Sequence, residues 1–139
     1  MRRAARGFLI VVSILDGFSG LICGVLFVTA PDGRFLQAGA LLPVIGTLPF
    51  AGFFFRDFTW IGVAMLLVLG IPNLLAAAML LRRNARQYSA ALIAGVLLLV
   101  WCGFEMVFMF NLPALGYFTV GAISVVCSSL LPRPSAASA

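Results

Sequence analysis

Four polar side chains lie inside apolar stretches of this sequence, and they are the residues with which the chain could do chemistry. They are Asp16, Asn73, Glu105 and Tyr117. No Arg or Lys lies within the same apolar stretches to pair with the two carboxyl groups. Ionisable residues inside a membrane typically mark proton, cation or polar-ligand sites.

Asp16 is the sharpest candidate, since burying a carboxylate in lipid costs about 2.5 to 3.5 kcal/mol even on the lenient insertion scale. This group must be protonated, hydrated in a cavity or compensated by a bound cation. One interpretation is a proton or cation site, or an anchor for the polar head of an apolar ligand. The other is a neutral acid that donates a hydrogen bond to Asn73 or to a nearby carbonyl and so holds two helices together.

Glu105 lies closer to the end of its apolar stretch, so the long side chains of Arg34 or Arg56 could reach it. The functional interpretation has these three residues and Tyr117 lining a pocket on one side of the membrane. The structural interpretation is a simple ion pair near the membrane surface.

The composition indicates an integral membrane protein. Of the 139 residues, 63% are hydrophobic and 9% are charged, and the mean hydropathy is +1.17. These values lie far outside the range of soluble domains. The net charge of +5 comes entirely from arginine on the basic side, and no polar stretch is long enough for a disordered chain, a coiled coil or a nucleic-acid-binding module.

The missing residue types exclude most catalytic chemistry. His is absent, which removes the commonest zinc ligand, the usual haem ligand and the commonest general base. Cys23, Cys102 and Cys127 lie far apart and are expected to be reduced packing residues. We find no phosphate-binding loop or nucleophile elbow, so neither a metal nor a cofactor is expected. An enzyme using Asp16 or Glu105 as acid or base is only the third alternative.

Four apolar stretches are long enough to cross the hydrocarbon core, which takes about 20 residues. They are residues 8–30, 58–81, 88–110 and 114–131. The first follows a basic tract, as in a signal peptide, but it is too long and lacks a small-residue cleavage site. We expect one transmembrane domain over residues 1–131 and a disordered cytoplasmic tail over 132–139.

Residues 35–55 are apolar as well, but Pro and Gly interrupt them every few residues. If this segment does not cross, seven arginines lie on the cytoplasmic side and two outside, as the positive-inside rule favours. If it crosses, that bias disappears. The sequence therefore predicts four spans, both termini cytoplasmic, and a broken re-entrant or interfacial helical segment between the first two spans. Five spans is the alternative.

Each span carries a stripe of small or polar residues at three- and four-residue steps. Such stripes let helices approach closely. The glycines expected to pack helices in this way are Gly17, Gly20, Gly24, Gly70 and Gly121. We expect an all-α integral membrane protein, in which four transmembrane helices form a bundle with these faces at its centre.

Pro72 lies inside the second span, directly before Asn73. It should leave the carbonyl of Val68 without its helical donor and kink the helix. A helix interruption beside intramembrane polar groups is typical of transporter sites, although proline kinks also occur in spans without such a role.

Several short motifs follow one another along the chain. They are Asp16-Gly17, Pro31-Asp32-Gly33, Pro49-Phe50, Leu80-Leu81-Arg82-Arg83, Trp101 and Glu105. Their order resembles that of small uncharacterised four-helix bacterial inner-membrane proteins. The resemblance covers most of the chain and implies a location in the bacterial cytoplasmic membrane, but it carries no activity with it.

These observations favour a small membrane protein that binds, and in one version translocates, a cation, a proton or a small amphiphile through a central polar site. The alternative is a structural or accessory subunit of a larger membrane complex, docked through its small-residue stripes. A chain of this size is expected to act as a homo-oligomer or within such a complex. Its cytoplasmic arginines should attract anionic lipid headgroups, and no nucleic-acid partner is expected.

Overall fold

Four long helices dominate the fold. The structure is a computed structural model that describes residues 1–47, 51–54, 56–108 and 112–131, and within these ranges every regular element is helical. Four helices are long and apolar enough to cross a membrane, which confirms the helical class and the number of span-length helices. The predicted tail 132–139, the Pro49 and Phe50 pair and Asn111 lie outside the described residues.

The helix boundaries differ from the predicted spans mainly at helix starts. Helix α1 covers Arg2–Thr29, six residues earlier than predicted, because the arginines and alanines of the basic tract are good helix formers. The last long helix covers Leu112–Ser129 and so begins two residues before the predicted span 114–131. Pro113 is tolerated in the first turn because its missing N–H has no helical acceptor there.

The second span, Thr59–Leu81, has three consecutive parts. Helix α4 covers Thr59–Ala64, a π-helix covers Met65–Gly70, and α5 covers Ile71–Leu81. The N–H of Ile71 bonds to the carbonyl of Leu66, five residues back. Pro72 has no N–H to offer Val68, and the chain adapts by widening the preceding turn. The sequence did not predict this π-helix, which directly precedes the helix that carries Pro72.

Helix α1 packs antiparallel along the whole second span. Glycines allow this approach: a Cβ added at Gly20 would lie 2.7 Å from the backbone nitrogen of Gly70. One added at Gly24 would lie 2.9 Å from the carbonyl oxygen of Gly62. The face of α1 predicted to be small and polar is its buried face, since Ser13, Asp16, Gly17, Gly20 and Gly24 are all buried.

The third and fourth spans form a second antiparallel pair. Helix α6 covers Gln87–Phe108 and packs extensively on α7, the helix Leu112–Ser129. A Cβ at Gly121 would lie 3.2 Å from the backbone nitrogen of Leu99, so close approach again depends on a glycine. Contact between the two pairs runs chiefly through α5 and α6.

One side of the molecule, called here the arginine side, carries the N-terminus and the loop after α5. The described arginines on this side are Arg2, Arg3, Arg6, Arg82, Arg83 and Arg86. Arg6 donates from Nε to the carbonyl oxygen of Leu80 at 3.1 Å, and its Nη2 donates to the same oxygen. A cation bonded to a terminal carbonyl stabilises a helix C-terminus, so Arg6 ties the start of α1 to the end of α5.

Residues 31–47 and 51–54 lie on the opposite side, called the loop side, and consist of short helical pieces. They are the 3₁₀ turns Arg34–Leu36 and Gly39–Leu41 and the four-residue helices α2, Leu42–Ile45, and α3, Ala51–Phe54. Within the described residues this segment contains no helix long enough to cross a membrane. The segment is therefore broken, as its Pro and Gly content predicted.

Two buried side chains fix this segment to the long helices. Ile45 and Phe58 form a small apolar core against Phe27 of α1 and Ile61 of α4. The rings of Phe27 and Phe58 stack with their centroids 4.7 Å apart. A ring buried in this way contributes several kcal/mol of stability.

Replacing Phe58 by alanine should release this anchor. Phe58 is 2% exposed, so we expect Phe58→Ala to lower the free energy of unfolding by about 3 kcal/mol. Limited proteolysis should also cut residues 31–47 faster. Phe53→Ala is the matched control, because Phe53 is 73% exposed. Equal proteolysis of the two variants would contradict the anchoring role of Phe58.

Candidate functional site

A cavity of about 670 Å³ lies between the pair formed by α1 with the second span and the pair formed by α6 with α7. Its walls come from α1, α4, the π-helix, α6, α7 and the broken segment. On α1 they extend from Asp16 to Phe27, which corresponds to roughly 16 Å of helix. The cavity thus occupies the half of the molecule on the loop side.

Asp16 lies at the deep end of this cavity, near the middle of α1. The residue is only 8% exposed, and its Oδ2 is buried without a hydrogen-bond partner among the described residues. Native proteins pair the great majority of buried polar atoms, since an unpaired one costs about 1 to 3 kcal/mol. An unpaired carboxyl oxygen on a residue that lines a cavity is therefore an indication of a ligand site.

Asn73 does not complete this site. Its Nδ2 donates to the carbonyl oxygen of Leu69 at 2.9 Å, and Asn73 is not among the residues that line the cavity. The hydrogen bond from Asp16 to Asn73, one of the two interpretations above, is not formed through Oδ2. Asn73 instead donates a hydrogen bond to a backbone carbonyl, that of Leu69, in the π-helix before Pro72.

Glu105 and Tyr117 both line the cavity, from α6 and α7 respectively. Glu105 is half-buried, whereas Tyr117 is exposed. Arg34 and Arg56 are exposed and lie outside the cavity wall, and the guanidinium of Arg34 lies 5.1 Å from the ring centroid of Phe35. The structure thus brings together both intramembrane acids and the tyrosine, without the two arginines.

Aromatic rings make up much of the remaining wall. The aromatic lining residues are Phe27, Phe54, Phe58, Trp60, Trp101, Phe104 and Tyr117. Of these aromatic residues, only Tyr117 was a predicted site residue. The sequence did contain a signal that Trp101 belongs to the site. Trp101 and Glu105 are four residues apart and therefore share a helix face.

Ser19 and Cys102 also line the cavity, although neither was singled out as a site residue. Ser19 follows Asp16 by three residues and Cys102 precedes Glu105 by three, so each shares a face with an acid. Cys102 is buried and has a free thiol. These residues add small and weakly polar surface beside the two carboxyl groups.

The cavity widens away from α5. Packing between the second span and α6 is concentrated at α5 and decreases through the π-helix. Two of the lining residues, Val100 and Trp60, are 65% and 46% exposed. Since these positions lie on apolar helices of membrane-spanning length, the opening faces the region that lipid tails would occupy.

The site has the chemistry of a binding pocket with an apolar body and an acidic end. Among the described residues, no cluster of three or more His, Cys, Asp or Glu side chains could hold a metal ion. The described lining residues include two carboxyl groups and no Arg or Lys. An apolar ligand that carries one polar or positively charged group matches this arrangement.

Comparison of the chain with protein-family models, with curated proteins and with solved structures finds no match. The interpretation of the site therefore rests on its geometry and chemistry.

Proposed function

We propose that this protein binds a small amphiphile in the cavity, with the apolar part against the aromatic walls and the polar head at Asp16. The observation that carries the proposal is the buried Oδ2 of Asp16, which has no hydrogen-bond partner among the described residues. A ligand group that donates to this oxygen offsets the desolvation of the carboxyl group.

The size and lining of the cavity support binding of an organic molecule. Ligand pockets typically measure about 300 to 1,000 Å³ and combine apolar walls with a few convergent polar groups. The cavity is less suited to bind a bare metal cation, because such an ion needs several oxygen ligands around one point. Two carboxyl groups, Asp16 and Glu105, are in the wall, and among the described residues no group of three or more His, Cys, Asp or Glu side chains could hold a metal ion.

The distribution of the arginines supports one orientation of the protein in a bilayer. The arginine side faces the cytoplasm of a bacterium, with both termini there, as the positive-inside rule favours. The four spans form a bundle in the inner membrane, and the broken segment lies re-entrant or interfacial at the outer surface. In this orientation the cavity opens into the outer half of the bilayer, and the ligand reaches it laterally from the lipid.

The contacts of the glycine stripe on α1 favour a ligand-binding protein over an accessory subunit. Gly17, Gly20 and Gly24 are expected to dock a partner if the chain is an accessory subunit. In the structure, Cβ atoms at all three positions would meet residues of the second span within 3 Å. The stripe is therefore already occupied within the chain. Assembly into a homo-oligomer or larger complex would use other faces.

Tryptophan fluorescence offers a direct test of the proposal. The chain has two tryptophans, and both line the cavity. We expect brominated dodecanol to quench the protein in phosphatidylcholine nanodiscs with a saturable component, because a heavy-atom quencher in the cavity contacts both rings. Probe that only partitions into the lipid should give quenching that does not saturate.

A cavity-filling variant separates the two kinds of quenching. Ala64 lines the cavity on α4, so Ala64→Phe should remove the saturable component by occupying the space. Ala78→Phe is the control, since Ala78 is exposed on α5 and outside the cavity. Saturable quenching that persists unchanged in Ala64→Phe, or its absence from the parent protein, would overturn the proposed function.

A further inference from the structure

The charge balance of the cavity indicates which amphiphile it takes. The carboxyl group of Asp16 lies in its wall, and no Arg or Lys is among the described residues that line it. From this balance we infer that the ligand is a lipophilic cation, a protonated alkylamine, whose positive head lies against Asp16. This inference rests on the proposed function and specifies the ligand of the same site.

Asp16 is a buried residue in the wall of the cavity. The residue is more than nine-tenths buried, and its Oδ2 has no partner among the described residues. A neutral ligand can supply one hydrogen bond to this oxygen. A protonated amine also donates a hydrogen bond and in addition balances the charge of the carboxylate, and such charge-assisted hydrogen bonds are roughly twice as strong as neutral ones.

Aromatic rings form a large part of the cavity wall. Trp101 of α6 lies one helical turn from Glu105, and both belong to the cavity lining. Aromatic faces attract cations through the ring quadrupole, so a wall rich in such rings accommodates a positively charged ligand better than an anionic one. The same rings provide apolar surface for the alkyl part of the ligand.

The charge pattern also disfavours the opposite class of ligand. An anionic headgroup at the deep end would face a carboxyl group with no lining cation to compensate it, and like-charge juxtaposition is strongly unfavourable. Anionic lipids are expected instead at the arginine side, which is the other end of the molecule. Selectivity for positive charge is therefore a property of this cavity and not of the whole surface.

Three probes of twelve-carbon chain length test the inference. Dodecylammonium, dodecanol and dodecanoate would each compete with brominated dodecanol for the cavity of the protein in phosphatidylcholine nanodiscs, with tryptophan quenching as the signal. We expect the cation to compete at a concentration at least about tenfold below that of dodecanol. Dodecanoate should be the weakest competitor of the three.

Asp16→Asn isolates the role of the carboxyl group. This variant should still bind dodecanol, while the preference for the cation over dodecanol falls to nearly one. Asp32→Asn is the matched control, because it removes the same charge from an exposed loop residue outside the cavity. It should keep the full preference.

The outcomes distinguish failure of the inference from failure of the proposed function. Saturable and equal competition by all three probes would overturn the cation preference and leave amphiphile binding intact. A cation preference that survives in Asp16→Asn would also overturn the inference. If no probe shows saturable competition in the parent protein, both proposals fail.

Discussion

Replacing Asp16 by leucine is expected to stabilise the ligand-free protein by about 1 to 3 kcal/mol while removing the binding of a lipophilic cation. The gain in stability arises because the carboxyl oxygen Oδ2 is buried without a partner among the described residues. Leucine removes this unpaired group, and the adjoining cavity gives its side chain space. Loss of binding follows from loss of the acidic end of the cavity.

The free energy of unfolding in mixed micelles, measured by denaturant titration, checks this expectation. Asp16→Asn serves as the second variant, because it keeps the shape of the side chain and abolishes its charge. The opposite result has a clear meaning. If both variants lose more than about 1 kcal/mol, the carboxyl group holds helices together, and the structural interpretation of Asp16 is correct.

Enlarging Gly20 to leucine is expected to be the most damaging single change in the spans. A Cβ at this position would lie 2.7 Å from the backbone nitrogen of Gly70 and 2.8 Å from Cβ of Leu69. Backbone atoms cannot rotate away from such a contact, so α1 must separate from the second span. We expect a loss of at least about 3 kcal/mol, at the upper end of overpacking effects.

Gly7→Leu is the matched control, because a Cβ on Gly7 of the same helix meets nothing within 4 Å. The yield of monodisperse protein and its unfolding free energy would both be measured on the isolated chain. A drop below about 1 kcal/mol for Gly20→Leu would show that the two helices do not need close contact. Damage seen only in the presence of a partner protein would favour the accessory-subunit alternative.

Both predictions concern positions whose importance was visible in the sequence, for different reasons. Gly20 belongs to a stripe of small residues with helical spacing, and such a stripe predicts helix contact whatever the partner helix is. Asp16 stands out because the membrane interior penalises a carboxyl group strongly. In both cases one local property, size or charge, is enough to make the prediction.

Other features depended on contacts that spacing does not encode. The π-helix at Met65–Gly70 precedes Pro72, and sequence reasoning expected only a kink at that proline. The amide of Asn73 bonds to a carbonyl four residues back in its own span, although one interpretation of the sequence had it accept a hydrogen bond from Asp16. Backbone and side chains near a proline can satisfy a freed group in several ways, and neighbouring helices decide among them.

The sequence by itself determined the helical class, the four span-length helices, the broken segment after the first and the buried face of α1. These follow from hydrophobic length, helix-breaking residues and the period of the α-helix, all of which are local properties. Only the tertiary structure decided that Asp16, Glu105 and Tyr117 share one cavity with Trp60 and Trp101. A cavity is the space left between elements, and its existence depends on how two helix pairs diverge, which no single helix specifies.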